Sequence, residues 1–174
     1  MTDQREAIAY HEAGHALISI KLGYACLYVT IIPDGDRLGH VCCEDPMAVG
    51  RGSKIEDALK VLMAASLSEG FHRGRKSWGD IEDRLMAKKL ALLACNQNAD
   101  QAEALINEMV CETRQLVESH WSEIETLAQR LLTQGKVNLL SGEENVTANS
   151  PTYHALRAAI MKSRRWHNSR SDDG

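Results

Sequence analysis

Two histidines and a glutamate stand close together near the start of the chain, in residues 10–16, YHEAGHA. On a helix, residues four apart lie on one face, so His11 and His15 can direct two imidazole nitrogens at one point. Zinc binds imidazole nitrogen at about 2.0–2.1 Å and prefers four ligands in a tetrahedron. The spacing therefore predicts half of a zinc site. The alternative is a pair of helix histidines that only make hydrogen bonds in a core.

Glu12 follows the first of these histidines, so its carboxylate should project beside a metal rather than onto it. Zinc lowers the pKa of a bound water to about 7, and a carboxylate at that position can take the water's proton. The motif therefore predicts Zn²⁺ on His11 and His15, Glu12 as general base, and hydrolysis as the reaction.

A zinc site of this kind needs a third protein ligand, and spacing alone does not name it. Asp80 has a suitable side chain, but Ser77 and Asp80 also have the spacing of a helix capping box, so a structural role competes. The remaining candidates are spread along the chain: His40, Glu69, His72, His120, His154 and His167.

The composition is that of an ordinary soluble globular protein. The 174 residues suit one domain with a tail, and 44% of them are hydrophobic. The formal net charge of -4 provides no strong field toward nucleic acid or an anionic membrane. No signal peptide is visible at the start, and no window reaches the roughly 18 apolar residues of a membrane span. We therefore expect a cytoplasmic protein with neither a membrane nor a nucleic-acid partner.

The cysteine pattern favours thiols over disulfides. The chain has five cysteines, which is an odd number, and no pair of them has the CxxC spacing. We therefore expect reduced, mostly buried thiols, and neither a disulfide framework nor a structural zinc ribbon. The five are Cys26, Cys42, Cys43, Cys95 and Cys111.

The elements that must position these residues are mainly helices. Gly23 and Gly70 are expected to end the first two helices, and Ser122 offers a new start within the longest pattern. Gly14 suits a helix face on which another backbone packs closely, although it costs about 1 kcal/mol against Ala. Apolar periodicity predicts helices over residues 4–22, 54–69, 80–95 and 100–133, the last being long enough for two.

A β-hairpin is expected between the first two helices. Residues 28–32 are rich in β-branched side chains, and residues 38–43 provide the returning strand. The Pro-Asp-Gly sequence between them is typical of a turn, because Pro fixes φ and Gly accepts a positive φ. The HExxH helix and this hairpin are therefore neighbours along the chain.

Several segments resemble the peptidase domain of the FtsH family, the AAA+ zinc proteases of bacterial and organellar membranes. The motif region, AYHEAGHALIS, is similar to that family's signature, and the next segment, YVTIIPDGDRLGHV, is similar to the hairpin that follows it. The segment SWGDIEDRLMAKKLA resembles the family's Gly-Ala-Ser-Asn-Asp segment, whose final Asp is the third zinc ligand and falls on Asp80. Residues 116–131 and the ending GKVNLLSGEE resemble the family's C-terminal helices. The resemblance covers about residues 5–144.

The chain also departs from the family pattern. The family places a membrane segment and an AAA+ ATPase before the peptidase domain, whereas this chain begins ten residues before its first ligand and has no GxxxxGK[ST] loop. Trp78 stands in the loop that approaches the metal, where the family has small polar residues, and could either narrow substrate access or shield the metal. We expect a stand-alone peptidase domain, residues 1–144, and a C-terminal extension, residues 145–174, with a short helix and a disordered end.

The resemblance implies a mainly α (α+β), zincin-like fold with the HExxH helix, a small β-hairpin or sheet and a C-terminal helical bundle. It also implies a zinc metalloendopeptidase that cuts unfolded or flexible polypeptides, with Zn²⁺ on His11, His15 and Asp80 and with Glu12 as general base. Two alternatives stay open: an inactive FtsH-like binding or adaptor protein, and a peptidase subunit served by a separate AAA+ ATPase. A homo-oligomer is also left open, because the family forms hexameric rings.

A third alternative uses the C-terminal tail, which carries basic residues without acids between them. Such a run is typical of a solvated helix face, but it could also contact nucleic acid or an acidic partner. The basic residues are Arg157, Lys162, Arg164, Arg165 and Arg170.

Overall fold

The computed structural model describes residues 2–47, 54–74 and 81–139, which form five helices and a small sheet. The predicted mainly α fold with a small sheet is confirmed. Within the described ranges, no helix combines the length and apolarity needed to cross a bilayer. The elements are α1 (Thr2–Lys21), β1 (Cys26–Thr30), β2 (His40–Cys43), α2 (Ile55–Arg73), α3 (Ile81–Ala94), α4 (Ala99–Ser119), α5 (Trp121–Gln134) and β3 (Lys136–Asn138).

The three strands form one antiparallel sheet in the order β2-β1-β3. The hairpin of β1 and β2 was predicted, but β3 was not, because three residues after Gly135 are too few to show a strand pattern. The strand exists because it pairs with β1 from the far end of the chain: Val137 lies opposite Val29, and both are buried. This pairing leaves β2 as an edge strand of the described sheet.

Helix α1 lies at the centre of the main hydrophobic core. Ala9, Ala13 and Ala16 are fully buried, and their small side chains let α2, α5 and the sheet approach α1 from different sides. Tyr10 is also buried, and its ring stacks between His72 of α2, at a centroid distance of 3.8 Å, and Trp121 of α5, at 5.6 Å. A second core cluster joins α2, α3 and α4. Helix α2 therefore connects α1 to α3.

Helices α1 and α2 pack closely against each other at Gly14. A Cβ atom there would lie 2.5 Å from Ser68 Oγ and 2.7 Å from the Ala64 carbonyl oxygen. The prediction that another backbone packs closely at this glycine is confirmed. The contact leaves the Ser68 hydroxyl buried and without a hydrogen-bond partner among the described residues.

Helix α2 is longer than predicted, because Gly70 does not end it. The helix continues to Arg73 and ends at Gly74, whose φ of 61° is left-handed. The penalty of about 1 kcal/mol for a glycine inside a helix is offset by contacts of the extra turn. Arg73 pairs with Glu69 at 3.0 Å, and His72 stacks on Tyr10. The long C-terminal pattern divides into two helices as predicted, although the break falls at His120.

The structure joins Cys26 and Cys43 by a disulfide. The expectation of reduced thiols is therefore wrong for these two residues. They lie opposite each other in the β1–β2 register, and strand register cannot be read from cysteine spacing. Cys42, Cys95 and Cys111 are free thiols, and Cys42 is buried.

The helix contact at Gly14 predicts that Gly→Ala will have the opposite effect on stability from the one it has in an exposed helix. In an exposed helix, Gly→Ala stabilises by about 1 kcal/mol. Here Gly14→Ala should destabilise the metal-free protein by about 1–3 kcal/mol, because the new methyl group overpacks the contact with α2. Urea unfolding of the two proteins measures the difference.

Ser68→Ala provides the matched control for that experiment. It removes an unpartnered buried hydroxyl and should by itself change stability little. Because it also removes one of the two clashing groups, Gly14→Ala should cost less in the Ser68→Ala background. A gain in stability from Gly14→Ala alone would contradict the close contact.

Candidate metal centre

His11 and His15 meet an aspartate from the first turn of α3. The Nε2 atom of each histidine lies 3.2 Å from the same oxygen, Oδ2 of Asp83. The two rings are nearly perpendicular, with centroids 4.9 Å apart. All three ligand atoms lie within 4.8 Å of one another. Two imidazole nitrogens and one carboxylate oxygen therefore converge on one point.

These distances fit a tetrahedral zinc site. Two ligand atoms at about 2.0–2.1 Å from zinc and at the tetrahedral angle lie roughly 3.3 Å from each other. The two Nε2–Oδ2 distances of 3.2 Å are close to this value. Two histidines and one carboxylate are also a donor set of catalytic zinc centres, which keep a fourth position for water. The residues present therefore fit Zn²⁺ both in donor type and in spacing.

The orientation of His15 is set by a backbone carbonyl of α2. Its Nδ1 atom lies 2.9 Å from the Val61 carbonyl oxygen, and the residue is buried. A carbonyl only accepts, so Nδ1 donates its hydrogen to Val61, and Nε2 is the ring atom that faces Asp83 and is left for a metal once it carries no proton. This is the arrangement by which a neighbouring group fixes the tautomer of a metal-binding histidine.

The charges of the site favour a cation at the point where the three side chains meet. Burial by itself raises the pKa of Asp83, but hydrogen bonds from His11 and His15 hold that pKa well below its usual range. Burial lowers the pKa of His15, but the hydrogen bond and the charge of Asp83, together with the charge of Glu12 and the hydrogen bond to Val61, outweigh this effect and raise it. The carboxylate is therefore ionised, and a proton and a metal ion compete for the nitrogen beside it.

Glu12 is buried and lies beside this cluster rather than in it. Its side chain lines the same cleft as His11, His15 and Asp83. Its role as general base stays a prediction, which the shared cleft makes possible.

The cleft has a volume of about 920 Å³ and is open to solvent. Residues of the N-terminal half of α1 line it, together with residues of the hairpin, including His40 and Val41 of the edge strand β2. Glu69 and Arg73 of α2 and Glu82 of α3 also line it.

Asp80, the predicted third ligand, lies outside the described residues, so its assignment stays a prediction. The described structure brings Asp83 to the two histidines, and sequence reasoning did not consider this residue. One signal could have found it. Residues three apart share a helix face, so a ligand at position 80 makes position 83 a candidate as well. From the sequence alone, Asp83 cannot be distinguished from an ordinary acidic residue in the first turn of a helix.

The other candidate ligands have different contacts. His40 lies in the cleft wall, with its Nε2 atom 3.2 Å from the Tyr28 hydroxyl oxygen. His72 stacks on Tyr10, and Nδ1 of His120 lies 2.9 Å from a Glu123 carboxylate oxygen. Among the residues that the structure describes, none of these histidines joins the cluster at Asp83. The last two candidates, His154 and His167, lie outside the described residues.

Two histidines one turn apart and an aspartate that faces them form a donor set that fits zinc, in a mainly helical domain with a buried glutamate in the same cleft. The chain belongs to peptidase family M41, whose model matches residues 1–92. The resemblance to FtsH proteases inferred from the sequence is thereby confirmed.

The curated relatives are longer proteins of the same family. The chain is 26% identical over 190 residues to ATP-dependent zinc metalloprotease FtsH 2 of Sphaerobacter thermophilus, covering 85% of this chain and 27% of that protein. It is 25% identical over 186 residues to ATP-dependent zinc metalloprotease FtsH of Haemophilus influenzae, covering 93% and 28%. A match to the FtsH protein of Slackia heliotrinireducens reaches 36% over 92 residues, covering 50% and 12%. The chain therefore spans less than a third of the length of these relatives.

The ligand geometry leads to a test of the third ligand. Asp83→Asn keeps the shape of the side chain but removes the charge that faces both histidines, so we expect it to weaken zinc binding by at least about tenfold. Competition with a chromophoric chelator measures the affinity, and metal analysis after dialysis measures the stoichiometry. Asp80→Asn is the matched control. Loss of zinc in Asp80→Asn together with full binding in Asp83→Asn would instead make Asp80 the ligand.

Proposed function

We propose that this chain is a zinc-dependent metalloendopeptidase that hydrolyses peptide bonds of unfolded or flexible polypeptides. The observation that carries the proposal is the convergence of His11, His15 and Asp83 in an open cleft that Glu12 also lines. Membership of peptidase family M41 supports it, and the relatives are named as zinc metalloproteases.

In the proposed centre, His11 and His15 would hold Zn²⁺ through their Nε2 atoms, and Asp83 would be the third ligand. Asp80 is the alternative third ligand that the family resemblance implies. The Val61 carbonyl keeps His15 in the tautomer that can bind. When bound, zinc supplies a Lewis acid that polarises the scissile carbonyl and lowers the pKa of a water molecule.

Glu12 acts as the general base in this proposal. Its carboxylate takes a proton from the attacking water while the water oxygen forms a bond to the scissile carbonyl carbon. The same carboxylate then passes that proton to the amide nitrogen, so that the carbon–nitrogen bond breaks and the amine leaves. Burial of Glu12 in the cleft wall keeps the carboxylate close to the reacting groups.

The edge strand β2 supplies a way to bind substrates of many sequences. An extended peptide can add to an edge strand of a sheet through main-chain hydrogen bonds, which do not depend on side chains. His40 and Val41 of β2 line the cleft together with residues of the N-terminal half of α1. Such pairing requires a substrate whose own backbone groups are free, which favours unfolded or flexible polypeptides over folded ones.

A peptidase served by a AAA+ ATPase is the second version of the same proposal. The relatives are named as ATP-dependent, and they are more than three times as long as the part that this chain matches. In this version an ATPase, in a separate protein or in further sequence, unfolds the substrate and delivers it to the cleft. The catalytic residues and their roles are the same in both versions.

Replacement of the base tests the proposed chemistry. Glu12→Gln should bind zinc as the unchanged protein does but lose a factor of about 10²–10⁴ in kcat with an unfolded casein-type substrate, because proton transfer is lost. Glu103→Gln makes the same chemical change at an exposed position of α4 and should remain active. Equal activity of Glu12→Gln and the unchanged protein would remove Glu12 from the mechanism. Substrate binding without cleavage in every variant would favour the inactive binding protein.

Removal of the metal gives an independent prediction. Dialysis against a chelator should abolish casein cleavage, and addition of one equivalent of Zn²⁺ should restore it, because the metal supplies the electrophile. A tightly folded protein of similar size should resist cleavage without ATP, and the same protein should be cut once it is denatured. Cleavage that survives complete removal of metal would contradict the proposal.

A further inference from the structure

We propose that Gly39 is a positioning residue for the general base: the absence of a side chain at this position lets the Glu12 carboxylate lie directly against the start of the edge strand β2. The inference rests on the proposed role of Glu12 and adds a second residue to the same step. Gly39 lies one residue before β2, in the wall of the cleft.

The evidence is the space around Gly39. A Cβ atom at this position would lie 2.8 Å from Oε1 of Glu12 and 2.9 Å from its Cγ. It would also lie 2.9 Å from the carbonyl oxygen of Thr30. All three distances are shorter than carbon–oxygen and carbon–carbon contacts at optimal separation, which are about 3.5 Å or more. A side chain at position 39 therefore cannot be added unless both Glu12 and the backbone near the Thr30 carbonyl give way.

The backbone conformation does not explain this glycine. Three other glycines have a positive φ, and nothing lies within 4 Å of the position that a Cβ would take: Gly23, Gly35 and Gly74. At these turns and helix ends, glycine is needed because it adopts a positive φ without strain. Gly39 is not among the positive-φ glycines, so other residues could adopt its backbone conformation. Their side chains, however, would need the space that Glu12 and Thr30 fill.

Glu12 is the neighbour that can move most easily. Thr30 belongs to the central strand β1, where it pairs with His40 on one side and Lys136 on the other. Its hydroxyl also donates to the Gly135 carbonyl at 3.1 Å. The Glu12 carboxylate, in contrast, is the end of a flexible side chain. A methyl group at position 39 would therefore push the Glu12 carboxylate away from the strand, while its contact with the Thr30 carbonyl would be relieved only by a shift of the backbone.

This contact links the base to the element that binds the substrate. In the proposed function a peptide pairs with β2, while Glu12 acts on the water that attacks the same peptide. Because Gly39 brings Glu12 into contact with the start of β2, one strand sets the position of both. A displacement of the base by about 1 Å can cost about 100-fold in rate, while substrate binding is unchanged.

The kinetic test compares two glycine substitutions in one hairpin. Gly39→Ala should keep its zinc content and a KM within about twofold of the original, but lose at least about tenfold in kcat. Gly35→Ala is the matched control: it strains the backbone at a positive φ, but nothing lies within 4 Å of the new methyl group, so kcat per folded molecule should be unchanged. Full kcat in Gly39→Ala would overturn the inference.

A thermal double-mutant cycle tests the contact without using activity. In the metal-free protein, Gly39→Ala should lower Tm more in the original background than in the Glu12→Ala background, which lacks both clashing Glu12 atoms. Equal Tm losses would overturn the inference. If Gly39→Ala does not fold alone, recovery of folding in the Glu12→Ala background supports it, and failure in both backgrounds overturns it.

The two proposals can fail separately. An active Glu12→Gln would remove the proposed role of Glu12 and leave the thermal cycle as a measurement of the contact. An inactive Glu12→Gln combined with a fully active Gly39→Ala would reject the positioning role and leave the proposed function intact.

Discussion

The close packing of α1 against α2 is the constraint on which the site depends. Gly14 brings the two backbones together, since a Cβ there would lie 2.7 Å from the Ala64 carbonyl oxygen. One turn earlier on α2, the Val61 carbonyl reaches His15 Nδ1 and fixes the direction of the ring. Helix α3 packs against α2 and places Oδ2 of Asp83 close to Nε2 of both histidines. A shift of α2 away from α1 would therefore disturb the orientation of one ligand and the position of another.

The site also depends on the sheet, which approaches α1 from the other side. Strand β1 is held centrally between β2 and β3, and this fixes the Thr30 carbonyl against Gly39. Glu12 lies between the helix that carries it and the hairpin that faces it. The ligands are thus positioned by helix packing and the proposed base by contact with a strand. Helix–helix packing and helix–strand packing therefore both shape the cleft. A methyl group added at Gly14 would disturb the first, and one added at Gly39 would disturb the second.

Much of the arrangement could be predicted from the sequence because it is local. The HExxH spacing places His11 and His15 on one helix face by geometry alone, and the Pro-Asp-Gly turn predicts the hairpin. The end of α2 could not be predicted in the same way: Gly70 has the composition of a helix end, but contacts of His72 and Arg73 with distant residues carry the helix past it. The strand β3 and the disulfide of Cys26 with Cys43 likewise depend on strand pairing rather than on local pattern.

By itself, the sequence determined the pair of candidate metal ligands, the adjacent carboxylate, the hairpin and the family resemblance, because each depends on residues a few positions apart. Only the tertiary structure decided that Asp83 faces both histidines and that Gly39 faces Glu12. These contacts join residues far apart in the chain, and their distances are set by how helices and strands pack. A helix period shows which residues share a face, but it does not show which other element that face will meet.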